Sequence, residues 1–165
     1  MGVLAQFFVS AVSWLLAMFF AAVWGAHLFY GTVIFPASAS ELPKSFLEWV
    51  ATPYAMRLHA FFKALVPGLY TVSSIGLVVA AVTGLRMRPA LAVSAACGLI
   101  HWAIVVVIFM PMNLKLGLQS GGPGASSLDP QTIKTLVQRW GRWHFVRLGV
   151  ETAGLIAALF AFKAS

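Results

Sequence analysis

From Ala5 to Phe35 no residue carries a full charge. A run of that length exceeds the ~20 residues that cross the hydrocarbon core of a bilayer, so it reads as a membrane helix with some tilt or a protruding end. A cleaved signal peptide is the rival reading, because Ala37-Ser38-Ala39 resembles a small-residue cleavage site. The apolar run is far longer than a signal peptide's apolar region, and no Lys or Arg precedes it, so the segment is expected to be retained. The rest of the chain has the same character. It is 61% hydrophobic and 9% charged, with a mean hydropathy of +0.90, where soluble domains are about 25% charged. In 165 residues of this composition a large soluble catalytic domain is excluded.

Three further apolar stretches complete the expected architecture, an all-α integral membrane four-helix bundle forming a single transmembrane domain over residues 1–165. The spans are expected at about 5–35, 61–85, 90–112 and 143–162. Arg86-Met87-Arg88-Pro89 makes a short turn, so spans two and three form a hairpin. Residues 113–129 hold the Gly- and Pro-rich stretch Leu118 to Ser127 and read as a flexible loop. Asp129-Pro130 then has the form of a helix start, with an aspartate N-cap and proline at the first helical position. A helix from there to Lys163 is roughly 50 Å long. That exceeds the bilayer core. Its first turns, with Ile133, Leu136, Val137 and Trp140 beside Lys134, Gln138, Arg139 and Arg142, read as an amphipathic interfacial extension of the fourth helix.

The formal charge of +7 would suggest nucleic acid in a polar chain. Here it reads as headgroup contact and topology, and no nucleic-acid partner is expected. The dense arginines of the hairpin turn, with Lys163, favour both termini on the cytoplasmic side. Cys97 is the sole cysteine, which excludes an intrachain disulfide and a Cys-x-x-Cys redox pair.

Ionisable residues inside a membrane are costly and mark candidate functional sites. The unusual polar and aromatic residues gather at the end that carries the first and third loops: His27 late in span one, Arg57 and His59 before span two, Asn113 at the exit of span three, and Trp140, His144 and Arg147 at the start of span four. Trp140, His144, Arg147 and Glu151 follow a 4, 3, 4 spacing, which puts them on one helix face turned to the bundle interior. Together they suggest a polar pocket, with His27, His59 and His144 as acid/base groups or metal ligands and Arg57 or Arg147 holding an oxyanion. The plainer reading is structural: His59 and Arg57 in headgroups, Arg147 paired with Glu151, His144 bonded to a backbone carbonyl.

His101 lies mid-span, twelve residues before Asn113 and about 120° away on a regular helix, and is expected to make a different contact. One histidine on or near each helix raises iron, copper or haem binding, yet there is no Glu-x-x-His, no His-x-x-x-His and no helix with two histidines. The sequence requires no cofactor. Six tryptophans and three tyrosines could stack on a planar ligand, with interfacial aromatic belts as the commoner cause; Trp24, one turn from His27, and Trp140, one turn from His144, carry the most weight.

Pro111-Met112-Asn113 followed by Trp140-Gly141-Arg142-Trp143-His144-Phe145-Val146-Arg147 resembles the Pro-x-Asn and Trp-x-x-x-His-x-x-Arg signature of the anthrone oxygenase-like family of four-span membrane proteins. The segment from Gly25 to Pro36 is similar as well. The resemblance implies an oxidoreductase acting with dioxygen on a hydrophobic phenol, quinol or anthrone-like aromatic. It carries over onto Asn113, Trp140, His144 and Arg147. On that footing His144 takes a proton from the substrate, while Arg147 and Asn113 stabilise the anion. Trp140, Trp24, His27, Arg57, His59 and Glu151 are the candidate substrate-binding residues. The expected partners are the lipid bilayer and a hydrophobic aromatic small molecule, with a homo-oligomer or larger membrane complex left open. The alternatives are a noncatalytic accessory or ligand-binding subunit, a haem or metal redox protein and, less favoured for want of a repeat, a transporter.

Overall fold

The computed structural model describes residues 3–84, 88–118 and 128–164. The arginine turn expected at Arg86 and most of the glycine-rich part of the expected flexible loop lie outside the described residues. The chain is all-α. Helix α1 (Val3–Phe29) passes through a π-helical turn at Tyr30–Ile34 into α2 (Phe35–Ser38). A short α3 (Lys44–Val50) precedes α4 (Pro53–Thr83), and α5 (Pro89–Ile104) passes through a second π turn at Val105–Phe109 into α6 (Met110–Lys115). The last helix, α7, runs without interruption over Pro130–Lys163.

Among the described residues four helical stretches are long and apolar enough to cross a membrane: Val3–Ser38, Pro53–Thr83, Pro89–Lys115 and Pro130–Lys163. The chain is a multi-pass membrane protein. The helix of the second span begins well before the apolar stretch expected from about residue 61. Thr52 caps it, its Oγ1 accepting from the Ala55 amide at 3.3 Å, and Pro53 takes the first helical position. Hydropathy detects the apolar core of a helix and misses the polar turns before it. Asp129 caps α7 in the same way through the Thr132 amide at 2.9 Å. The hydroxyl and amide of Thr132 hold the Asp129 carboxyl below its usual range.

The long helices form a ring in which α1 packs on α4 and α7, and α5 packs on the same two. Chain neighbours are therefore antiparallel in an up-down-up-down bundle. Close approach is set by small residues. A Cβ on Gly154 of α7 would strike the ring of Phe20, itself fully buried on α1, and the Gly154 carbonyl accepts from Ser94 Oγ of α5 at 3.0 Å. Gly154→Ala is expected to lower stability by about 1–3 kcal/mol, read as a lower thermal unfolding midpoint in detergent. An unchanged midpoint would contradict this packing.

The outer faces keep large apolar side chains exposed, among them Phe7, Val82, Val107 and Phe160, as lipid contact requires. At one end Arg88 donates to the Ala164 carbonyl at 3.1 Å, placing the start of α5 beside the end of α7. The other end carries the long connections. There α3 lays Phe46 against Leu116, Ile133 and Val137, so the amphipathic start of α7 buries its apolar face in protein while Lys134, Arg139 and Arg142 stay exposed.

Candidate functional site

A cavity of about 290 Å³ opens at the end that carries the long connections, close to the lower size limit of small-molecule sites. Its wall is largely apolar and carries six aromatic rings, those of Tyr30, Trp49, Phe62, Trp102, Phe109 and Trp140. The polar groups on it are His27, His59, Lys63, Asn113 and Arg147. Trp140 anchors one side. Tyr30 and Phe109 meet it edge-on at 4.9 and 5.4 Å, and His144 stacks behind it at 5.2 Å. The Trp140 indole N–H donates to Asn113 Oδ1 at 3.0 Å. With its oxygen engaged, Asn113 has its amide N–H groups left to donate.

Behind the wall lies a buried polar network. Arg147 donates to His144 Nδ1 at 2.9 Å and sits 4.2 Å over the Phe109 ring. His144 Nε2 lies 2.9 Å from the His27 carbonyl, to which only an N–H can donate. These two bonds define His144 as the neutral Nε2–H tautomer. Glu151 is 0% exposed, and three groups converge on its Oε1: His27 Nδ1 at 2.7 Å, His101 Nε2 at 3.0 Å and Arg147 Nε at 3.7 Å. His27 also stacks on Phe62 at 4.3 Å.

The π turns create this arrangement. A π turn holds one more residue than an α turn. Across Val105–Phe109 it changes the angle between His101 and Asn113 from about 120° to roughly 20°. His101 then faces Glu151 while Asn113 faces Trp140, so twelve residues of one helix match eleven of the antiparallel α7. The other π turn, Tyr30–Ile34, brings Gly31 against His144, whose Nε2 would lie 2.7 Å from a Cβ there. A side chain at that position would push the imidazole off its carbonyl.

Comparison with protein families matches residues 55–157, well over half of the chain, to a family described as anthrone oxygenase. The chain belongs to the anthrone oxygenase family. No curated protein and no solved structure matches it. The anthrone oxygenase match spans α4 to α7, which supply every cavity group named above except His27, Tyr30 and Trp49.

The other residues singled out in the sequence fall into distinct places in this anthrone oxygenase family fold. Asn113, Trp140 and Arg147 stand on the cavity wall, as do His27 and His59. Two candidates do not line it. Trp24 donates from its indole to Thr152 Oγ1 at 2.9 Å, tying α1 to α7, and Arg57 is exposed on the outside of α4. The turn that Trp24 shares with His27 and the depth of Arg57 in the chain do not set which way either side chain faces. Glu151 and His144 lie behind the wall. His101, expected to make a separate contact, joins the Glu151 cluster because the π turn alters its phase. Phe62, Lys63 and Phe109 carried no motif signal; Lys63 is marked only as a cation within a long apolar stretch.

Proposed function

We propose that this anthrone oxygenase family member oxidises a hydrophobic phenol, quinol or anthrone-like aromatic with dioxygen, converting an activated methylene to the quinone carbonyl. The observation that carries the reading is the aromatic slot with polar groups on diagonally opposed helices: Arg147 of α7, joined by Asn113, and His59 of α4. A planar substrate stacks between the rings. His59 has no hydrogen-bond partner among the described residues, so its lone pair is free to take the methylene proton. Negative charge then spreads to the substrate oxygen, where Arg147 and the Asn113 amide N–H stabilise it. Dioxygen adds to the carbanion and forms a carbon–oxygen bond. Loss of water, with the remaining methylene hydrogen leaving as a proton, makes the second carbonyl; one oxygen atom stays in the product and the other leaves as water.

The proton-abstracting role assigned to His144 on sequence passes to His59. With Nδ1 accepting from Arg147 and Nε2 donating to a carbonyl, His144 has no lone pair to offer and acts as a positioning residue for the guanidinium. The arginine turn and Lys163 support cytoplasmic termini, which turns the cavity end to the opposite face.

Dioxygen uptake by the protein in lipid nanodiscs supplied with anthrone tests this reading. One dioxygen is expected per anthrone consumed, well above uncatalysed oxidation, and His59→Asn should slow uptake by about 10²–10⁴-fold. Uptake equal to that of empty nanodiscs would overturn it.

A further inference from the structure

Three side chains from three helices close on one point beneath the cavity. His27 of α1, His101 of α5 and Glu151 of α7 place one ligand atom each within 4.8 Å of the others, and all three residues are buried. Hydrogen bonding accounts for only part of this. His27 Nδ1 has a good partner in Glu151 Oε1, but neither ring nitrogen of His101 has a hydrogen bond, since its 3.0 Å approach to the same oxygen is misaligned. Glu151 Oε2 has none either, and both residues are 0% exposed. Buried polar atoms are nearly always satisfied, and a carboxylate oxygen left bare away from water is costly. His101 and Glu151 Oε2 thus present unmatched lone pairs beside His27, and the unpaired donor near them, Arg147 Nε, stands 3.7 Å from Oε1, too far for a hydrogen bond.

We propose that His27, His101 and Glu151 bind a divalent first-row transition metal ion. Two imidazoles and a carboxylate match iron(II) in particular, because three protein ligands of this kind leave positions open for small molecules. His27 belongs at once to the cluster and to the cavity wall, so an ion held there borders the space that receives the substrate. Phe62, stacked on the His27 ring, and the His144 bond to the His27 carbonyl hold that ligand in place. Arg147, 3.7 Å from Glu151, adds to the positive charge, which suits the site to an anionic ligand such as a phenolate. No spacing in the chain reveals such a set, because each ligand comes from a different helix. The site is read from the cluster alone; only its part in dioxygen chemistry rests on the oxygenase reading.

The test is anaerobic titration of chelator-treated, detergent-solubilised protein with iron(II) and with cobalt(II). About one ion per chain is expected to remain after desalting, with uptake falling to background in His101→Asn and Glu151→Gln and unchanged in His59→Asn. Retention by the His101 and Glu151 variants at the wild-type level, or no uptake by wild type, overturns the site. If those variants do not fold, the cobalt(II) spectrum of wild type decides. Intense visible bands of a low-coordinate nitrogen and oxygen site support it, and the spectrum of the hydrated ion overturns it. Metal content is read without turnover, so loss of the metal site and loss of the oxygenase reading give different results.

Discussion

Arg147→Met is expected to lower anthrone turnover by about 10²–10³-fold in a bundle that stays folded. Arg147 is 6% exposed yet lies on the cavity wall, its guanidinium locked by His144 and by the Phe109 face. A donor fixed in this way needs no reorganisation when charge develops on the substrate oxygen, which is the condition for strong transition-state stabilisation. Methionine keeps much of the volume and removes the charge, while Glu151 retains its hydrogen bond to His27. Lysine should rescue poorly, because an ammonium cannot reproduce the planar fork that bonds His144 while lining the cavity. Steady-state rates beside the unfolding midpoint check this. A methionine variant with wild-type turnover would remove Arg147 from the chemistry.

Glu151→Ala is expected to have the largest effect on stability, about 3–5 kcal/mol. Glu151 is the sole acidic residue in the four spans and is buried among His27, His101 and Arg147. Its removal leaves the Arg147 cation without an opposing charge in a low-dielectric interior and opens a void where the helices meet. Breaking such a pair from one side costs far more than the pair itself contributes. Replacing Arg147 and Glu151 together by apolar residues of similar size should recover much of the loss. Denaturant titration in detergent micelles measures both variants, and an unaltered midpoint in Glu151→Ala would mean that the carboxylate does not balance the arginine.

The fold was legible because lipid imposes one rule: backbone groups must be satisfied within the helix, so long uncharged runs can be read directly as spans. The stripe from Trp140 to Glu151 was legible for the same reason, since regular α-helical phase holds throughout α7. The phase of His101 relative to Asn113 departs from that of a regular helix because the π turn after it adds a residue that no composition or periodicity announces. The start of α4 was missed because a polar first turn looks like loop until Thr52-Pro53 is taken as a cap. Trp24 was assigned to the site by its place one helical turn from His27, and Arg57 by its depth at the end that carries the long loops. Which helix face meets which neighbour is settled only by packing across the bundle, and the role of His144 depended on partners from α1 that its own sequence surroundings do not contain.

The oxygenase account is tested most directly by mass spectrometry of the quinone formed from anthrone under ¹⁸O₂ in unlabelled water. Oxygenation by the protein puts one labelled oxygen in each newly formed carbonyl, at a rate that depends on the protein and drops in Arg147→Met. Carbonyl oxygen drawn from water, or labelled product formed equally fast without the protein, would contradict it.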